Sequence, residues 1–284
     1  MSAVGYYKSL MNKVAPAAGF IVDDYPDVTI AAGTLQMSAS HQGLNVRTDF
    51  TSTYTDIGYD NEFSNETAII GLGASIARVQ IMYDAANGYD GKSQGLTAGG
   101  TTLRIYESSA VNKFSMGNKP AMRFLSTDQR FEFPTTQFKN EFTVFFVLER
   151  DSTTGRRIIL ATDTYGASGK NSFGILRENS SILFAEYTSG SLSLKSSTAS
   201  IDLNVPAVVA VSRSSTDLKF YVDGVLKTTT PLSGLTYEYN YLDLGSLRSG
   251  SATTGLIGSF IYFDVNKDSD VEDISNYLID KFGI

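Results

Sequence analysis

The chain has 284 residues, 42% hydrophobic, 12% aromatic and 19% charged, with a formal net charge of −7. That is enough apolar material to bury a core, while the acidic balance and the lack of any Lys/Arg cluster argue against nucleic acid and anionic membranes as partners. With no cysteine and one histidine, His41, the chain cannot form disulfides, thiolate or multi-histidine metal centres, or cysteine nucleophiles.

Residues 1–24 read as an appended arm. Tyr7, Leu10, Met11 and Val14 fall at helical spacing until Pro16 ends the pattern. A helix this short is marginal alone, so it either packs on its own domain or docks onto a partner; these four residues are the candidate assembly residues. The first twenty residues lack the continuous apolar core of a secretion signal, and no stretch is apolar for long enough to cross a bilayer as a helix.

From residue 25 to 284 the pattern is one domain of strands and turns. Residues 46–59 are rich in Thr, Tyr and Phe, and residues 76–83 (IARVQIMY) read as another strand, closed by the turn-rich DAANGYDG. Residues 95–100 (GLTAGG) read as a loop. Residues 142–148 (FTVFFVL) are apolar on both faces, which predicts a central buried strand. Further strands are expected at 158–162, 173–177, 182–187, 208–211, 218–222, 225–229, 242–244 and 256–263. Asp223-Gly224 is a two-residue hairpin signal, because such turns need positive φ. At the end, Ser269-Asp270-Val271-Glu272 fits a capping box. Val271, Ile274, Leu278 and Phe282 line one face of a helix over 270–281, and Gly283 is a suitable stop.

Polar clusters admit two readings each. Asp84, Asn87 and Asp90 can present oxygens to a sugar or a cation, or their Asn-Gly and Asp-Gly pairs can simply supply turn geometry; the turn is preferred. Asp264, Asn266, Asp268 and Asp270 start like a calcium loop, but Ser269 and Ser275 stand where Gly and Glu are needed, so a polar loop before a helix is preferred. His41 has no Gly-x-Ser-x-Gly elbow to serve. Asp60, Glu62 and Glu66 read as a solvated acidic loop. Tyr237, Tyr239 and Tyr241 alternate as on one face of a strand, where they either stack on sugar rings or pack on the arm or a neighbouring subunit; packing is preferred.

Two sets of segments carry a resemblance. FTVFFVLERD, RRIILAT, FGILRENSSILFAEY, the YVDG hairpin and the closing YLIDKFGI, over residues 140–284, resemble laminin-G/concanavalin A-like modules. NVRTDFTSTYTDIGYDNEF, VQIMYDAANGYDGKSQ and GNKPAMRF are similar to the arabinofuranosidase-B-like branch of that superfamily, which includes fungal glycosidases and uncharacterised phage and bacterial proteins. The resemblance implies a mostly β, antiparallel jelly-roll sandwich with an N-terminal arm and a C-terminal helix. In those glycosidases a catalytic Glu follows a Tyr-Gly turn and a general-acid Asp lies in a late Gly-rich loop. Here Tyr165-Gly166-Ala167-Ser168-Gly169 and residues 245–250, with Arg248, carry neither. Glycoside hydrolysis needs two carboxylates flanking the scissile bond, so no enzyme activity and no cofactor or metal are expected. Tyr165 and Arg248 join Asp84, Asn87 and Asp90 as candidate ligand-binding residues.

The resemblance and the docking arm lead to the expectation of a bacteriophage virion protein: a capsid decoration, head fibre or tail-appendage subunit. It would be made in the host cytoplasm and assembled with other virion proteins as a homo-oligomer, with a trimer the first candidate, and a cell-surface glycan is its expected ligand. The alternatives are a free carbohydrate-binding module and a divergent glycosidase.

Overall fold

The computed structural model describes residues 35–38, 44–48, 55–56, 76–82, 91–94, 104–107, 115–117, 119–124, 130–134, 140–151, 155–232, 236–237, 239–245, 255–263 and 265–284. The arm, with Tyr7, Leu10, Met11 and Val14, lies outside them, as do residues 95–100. Short early strands are β1 (Leu35–Ser38), β2 (Leu44–Thr48), β3 (Thr55–Asp56), β4 (Ile76–Met82), β5 (Gly91–Gln94) and β6 (Arg104–Glu107). The hairpin β7 (Ser115–Met116) and β8 (Lys119–Pro120) precedes β9 (Met122–Phe124) and β10 (Arg130–Pro134). Longer strands follow: β11 (Phe142–Arg150), β12 (Arg156–Thr162), β13 (Ser172–Glu178), β14 (Ser181–Thr188), β15 (Ser191–Ser200) and β16 (Ala207–Arg213). The set ends with β17 (Asp217–Val222), β18 (Val225–Pro231), β19 (Tyr241–Leu244), β20 (Gly255–Phe263) and helix α1 (Val271–Phe282).

All pairings between these strands are antiparallel and build a sandwich of two sheets. The front sheet runs β1–β20–β11–β16–β17–β18. The back sheet runs β5–β10–β19–β12–β13–β14–β15. β4 pairs with both β5 and β6, and β6 with β9, so the early strands join the two sheets along one side.

The expected buried strand is β11, and its two apolar faces have two causes. Val144, Phe146 and Leu148 enter the inter-sheet core, where Phe146 stacks on Phe260 at 5.6 Å and Phe142 on Phe173 at 5.2 Å. Phe145 and Val147 point the other way and are covered by Val271, Ile274, Leu278 and Phe282 of α1. The helix therefore turns what would be a solvent face into a second core, and the period-two alternation disappears.

Asp223 and Gly224 take φ of 51° and 76°, the left-handed pair that a two-residue hairpin requires. Gly283, at φ 66°, closes α1 with its N–H on the Ile279 carbonyl at 2.8 Å. The helix N-terminus differs from expectation. A 3-10 turn (Asp268–Asp270) comes first, Asp270 is the N-cap without a side-chain cap bond, and Ser269 donates its hydroxyl to the Asp270 carboxylate at 2.8 Å. The capping box does not form because Ser269 sits within that extra turn.

Candidate functional site

β12 and β13 are joined by a turn that reverses within residues 163–171. Tyr165 N–H donates to the Thr162 carbonyl at 3.0 Å and Ala167 N–H to the Thr164 carbonyl at 2.8 Å. The turn is moored to the next strand: Asp163 N–H donates to the Tyr241 carbonyl at 3.0 Å, and its carboxylate accepts from Asn240 N–H at 2.9 Å. Residues 166–170 at the tip are exposed.

The turn throws Tyr165 back across the outer face of the back sheet. Its ring rests on Gly174; a Cβ there would stand 2.8 Å from Tyr165 Cε2, so only glycine admits this pose without a shift. Beneath and beside the ring lies a small apolar cluster of Ile158, Ala161, Leu176, Leu183 and Ala185. Tyr187 meets Tyr165 edge to face, with centroids 4.8 Å apart and planes at 84°. Both rings are half-buried. Across β14–β15, Leu192 pairs with Tyr187 and Leu194 with Ala185, so both leucines share this face, 41% and 37% exposed.

The result is an aromatic ledge with apolar ring surface, two exposed leucines and a polar turn at its margin. Burial, and then the neighbouring Tyr187, hold the Tyr165 phenol well above its ordinary pKa. It therefore stays protonated at neutral pH. Tyrosine faces of this kind stack on the apolar faces of small cyclic ligands while the hydroxyls bond to polar substituents.

Of the residues singled out in the sequence, only Tyr165 lies on this ledge. Asp84, Asn87, Asp90 and Arg248 lie outside the described residues, as do His41, Asp60, Glu62, Glu66 and Asp264. Tyr187 was not singled out, because only the β13–β14 register (Ser172 opposite Tyr187) brings it beside Tyr165.

The tyrosine stripe divides. Tyr237 and Tyr239 precede β19 rather than lying on a strand face, and both pack into their own domain's core, against Phe173 at 5.0 and 5.9 Å. Tyr237 donates its hydroxyl to the buried Glu186 carboxylate and lies under the Arg213 guanidinium, 4.7 Å from the ring centroid. Tyr237 and Tyr239 thus pack on the inter-sheet core of their own domain, a partner that the sequence reading did not name. Tyr241 begins β19 and is 40% exposed.

Carboxylates near the sandwich interior are engaged in structure. Arg130 bonds Glu132 at 3.0 Å and stands 3.9 Å from Asp243, which is fully buried directly opposite Glu132 across β10–β19. Around the suggested calcium loop, Asp268 takes bonds from Lys219 at 2.5 Å and Tyr221 at 3.2 Å, while Asn266 donates to Ser212 at 3.1 Å. These side chains turn onto protein partners rather than toward a common point. Among the described residues no group of three or more His, Cys, Asp or Glu converges in a way that would hold a metal ion.

A family model described as the concanavalin A-like lectin/glucanases superfamily matches residues 125–267. No curated protein shows significant sequence similarity to the chain. Among solved structures, domain 4 of AbnA, an extracellular GH43 arabinanase from Geobacillus stearothermophilus in complex with arabinotriose, aligns with TM-score 0.51 and 16% identity, over 68% of this chain and 91% of that domain. The binding domain of botulinum neurotoxin DC in complex with SialylT aligns with TM-score 0.50 and 13% identity, over 69% of this chain and 48% of that one. Trypanosoma rangeli sialidase gives TM-score 0.50 and 11% identity, over 71% of this chain and 31% of that one. At these identities the likeness is one of fold. The chain spans most of the arabinanase domain, but about half of the toxin domain and a third of the sialidase.

Proposed function

We infer a function for this chain, which belongs to the concanavalin A-like lectin/glucanases superfamily: it binds a glycan without cleaving it. The observation that carries this reading is the Tyr165–Tyr187 ledge, with half-buried rings at 4.8 Å beside an exposed polar turn. Two structures of like fold are complexes, the arabinanase domain with arabinotriose and the toxin domain with SialylT. The stretch of the turn that carries Tyr165, Tyr165-Gly166-Ala167-Ser168-Gly169, has no carboxylate, which supports binding over hydrolysis there.

We further propose that the chain works as an adhesive or structural subunit of a bacteriophage virion, assembled with other virion proteins as a homo-oligomer. The cysteine-free composition and the helical spacing of Tyr7, Leu10, Met11 and Val14 support that setting. Calorimetric titration of the full chain with arabinotriose and with sialylated oligosaccharides, followed by chromatography of the recovered sugar, tests the binding claim. The expected result is saturable binding with the sugar recovered intact. Release of pentose or sialic acid, abolished by a single carboxylate substitution, would make the chain a glycosidase instead.

A further inference from the structure

On the outer face of the back sheet, the accessible rings gather at one strand end. Toward the opposite end Ile158, Leu176 and Leu183 are buried, and Arg156 pairs with Glu178 across β12–β13 at 2.9 Å. Tyr165 and Tyr187 stand where β12 turns into β13. Tyr241 shares that end of the sheet. Leu242 and Leu244, its neighbours on β19, enter the inter-sheet core. Side chains alternate along a strand, so Tyr241 projects onto the outer face, where it is 40% exposed. Asp243, the next residue on that face, is fully buried with Arg130 at 3.9 Å, so the accessible surface on β19 is confined to the Tyr241 end.

Strand register sets these residues in a line across the strands. Leu242 pairs with Thr162, and the Asp163 N–H reaches the Tyr241 carbonyl. Ala161 pairs with Gly174, on which the Tyr165 ring rests. Ser172 then pairs with Tyr187, and Tyr187 with Leu192. Neighbouring strands lie about 4.8 Å apart, so β19 with Tyr241 is about 10 Å from β13 and about 14 Å from β14 with Tyr187. Leu192 extends the line by one more strand.

We propose, resting on the glycan-binding reading of the ledge, that Tyr241 is its far end and that the ligand is a chain of about three or more sugars lying across the strands. A sugar ring with its linkage is about as long as one strand spacing, about 5 Å. One ring covers the Tyr165–Tyr187 pair, a second bridges β12, and a third reaches Tyr241. A ring stacked on a tyrosine face buries apolar surface at each end of this line. Along the strands the same chain would meet the Arg156–Glu178 pair instead of an aromatic face. Tyr241 is thereby the residue that distinguishes an oligosaccharide from its terminal sugar.

The test is calorimetric titration of the full chain with two series of increasing length: arabinose, arabinobiose and arabinotriose, and galactose, lactose and sialyllactose. The parent is compared with Tyr241→Ala, Tyr241→Phe and Tyr187→Ala. In the series that binds, the three-sugar member should bind the parent about tenfold more tightly than the two-sugar member. Tyr241→Ala should lose that gain while keeping the parent's affinity for the shorter sugars. Tyr241→Phe keeps the ring and should keep the gain, whereas Tyr187→Ala should weaken binding at every length. A three-sugar member that binds no more tightly than the two-sugar member, or a gain that survives in Tyr241→Ala, overturns the extension; if Tyr187→Ala still weakens binding, the ledge itself stands. Equal affinity in the parent and Tyr187→Ala, or no binding of either series, overturns the ledge and the extension with it.

Discussion

Asp268 links β17 to the approach of α1. Burial alone would raise its pKa, but hydrogen bonds from Lys219, Ser212 and Asn266 and the Lys219 charge outweigh burial and hold it below the ordinary value of 3.8. A carboxylate depressed in the folded state stabilises the fold above its unfolded pKa, and that contribution is lost as pH falls through the folded value. Asp268→Asn is therefore expected to lower the unfolding midpoint at pH 7, and the gap from the parent should narrow below about pH 4; thermal melts across pH 2–8 check this. Gly174 makes a different residue-scale prediction. Its hydrogen leaves the space that the Tyr165 ring occupies. Gly174→Ala should cost about 1 kcal/mol, as the ring shifts rather than the backbone, yet should weaken glycan binding by a larger factor because the ledge is displaced. Melting and titration of one preparation separate the two effects.

Elements were legible where burial dictated composition. The β11 run, the Asp-Gly hairpin and the 3.6-residue period of α1 each follow from a physical requirement that the residues display. β15 was missed because SLSLKSSTAS has few apolar residues and no turn signal inside it. It is an edge strand, held by pairing with β14 and by a bridge to the other sheet, where Thr198 N–H donates to Thr228 Oγ1 at 2.8 Å. β9 and β10 were also missed, being short strands that each take one partner, β20 and β19 respectively, from more than a hundred residues away. Helix α1 gives the prediction at this scale. Phe282 is fully buried, and its ring lies over Gly258, where an added Cβ would come within 2.5 Å of it. Phe282→Ala should cost about 3–5 kcal/mol, measured as a lower denaturant midpoint with an unchanged slope. A loss under about 1 kcal/mol would mean that α1 is not part of the cooperative fold.

At the scale of the molecule, two apolar layers, one between the sheets and one under α1, leave the outer face of the back sheet to carry the ledge. Half of that candidate site was legible. Tyr165 stood out through a resemblance that pointed to catalysis, whereas Tyr187 and Gly174 belong to the ledge only through strand register, which no local pattern encodes. The proposed assembly role predicts that the full chain sediments as an oligomer and that a chain starting at Tyr25 sediments as a folded monomer. Equal monomer masses for both would remove the arm as a self-assembly element.

The central claim is that a glycan is held on the Tyr165–Tyr187 ledge. Side-by-side titration of the parent chain and Tyr187→Ala with the tightest-binding oligosaccharide tests it most directly. The account predicts a loss of affinity of about tenfold or more, with the β-sheet circular dichroism unchanged. Equal affinity in the two proteins would contradict it and place glycan recognition elsewhere on the sandwich.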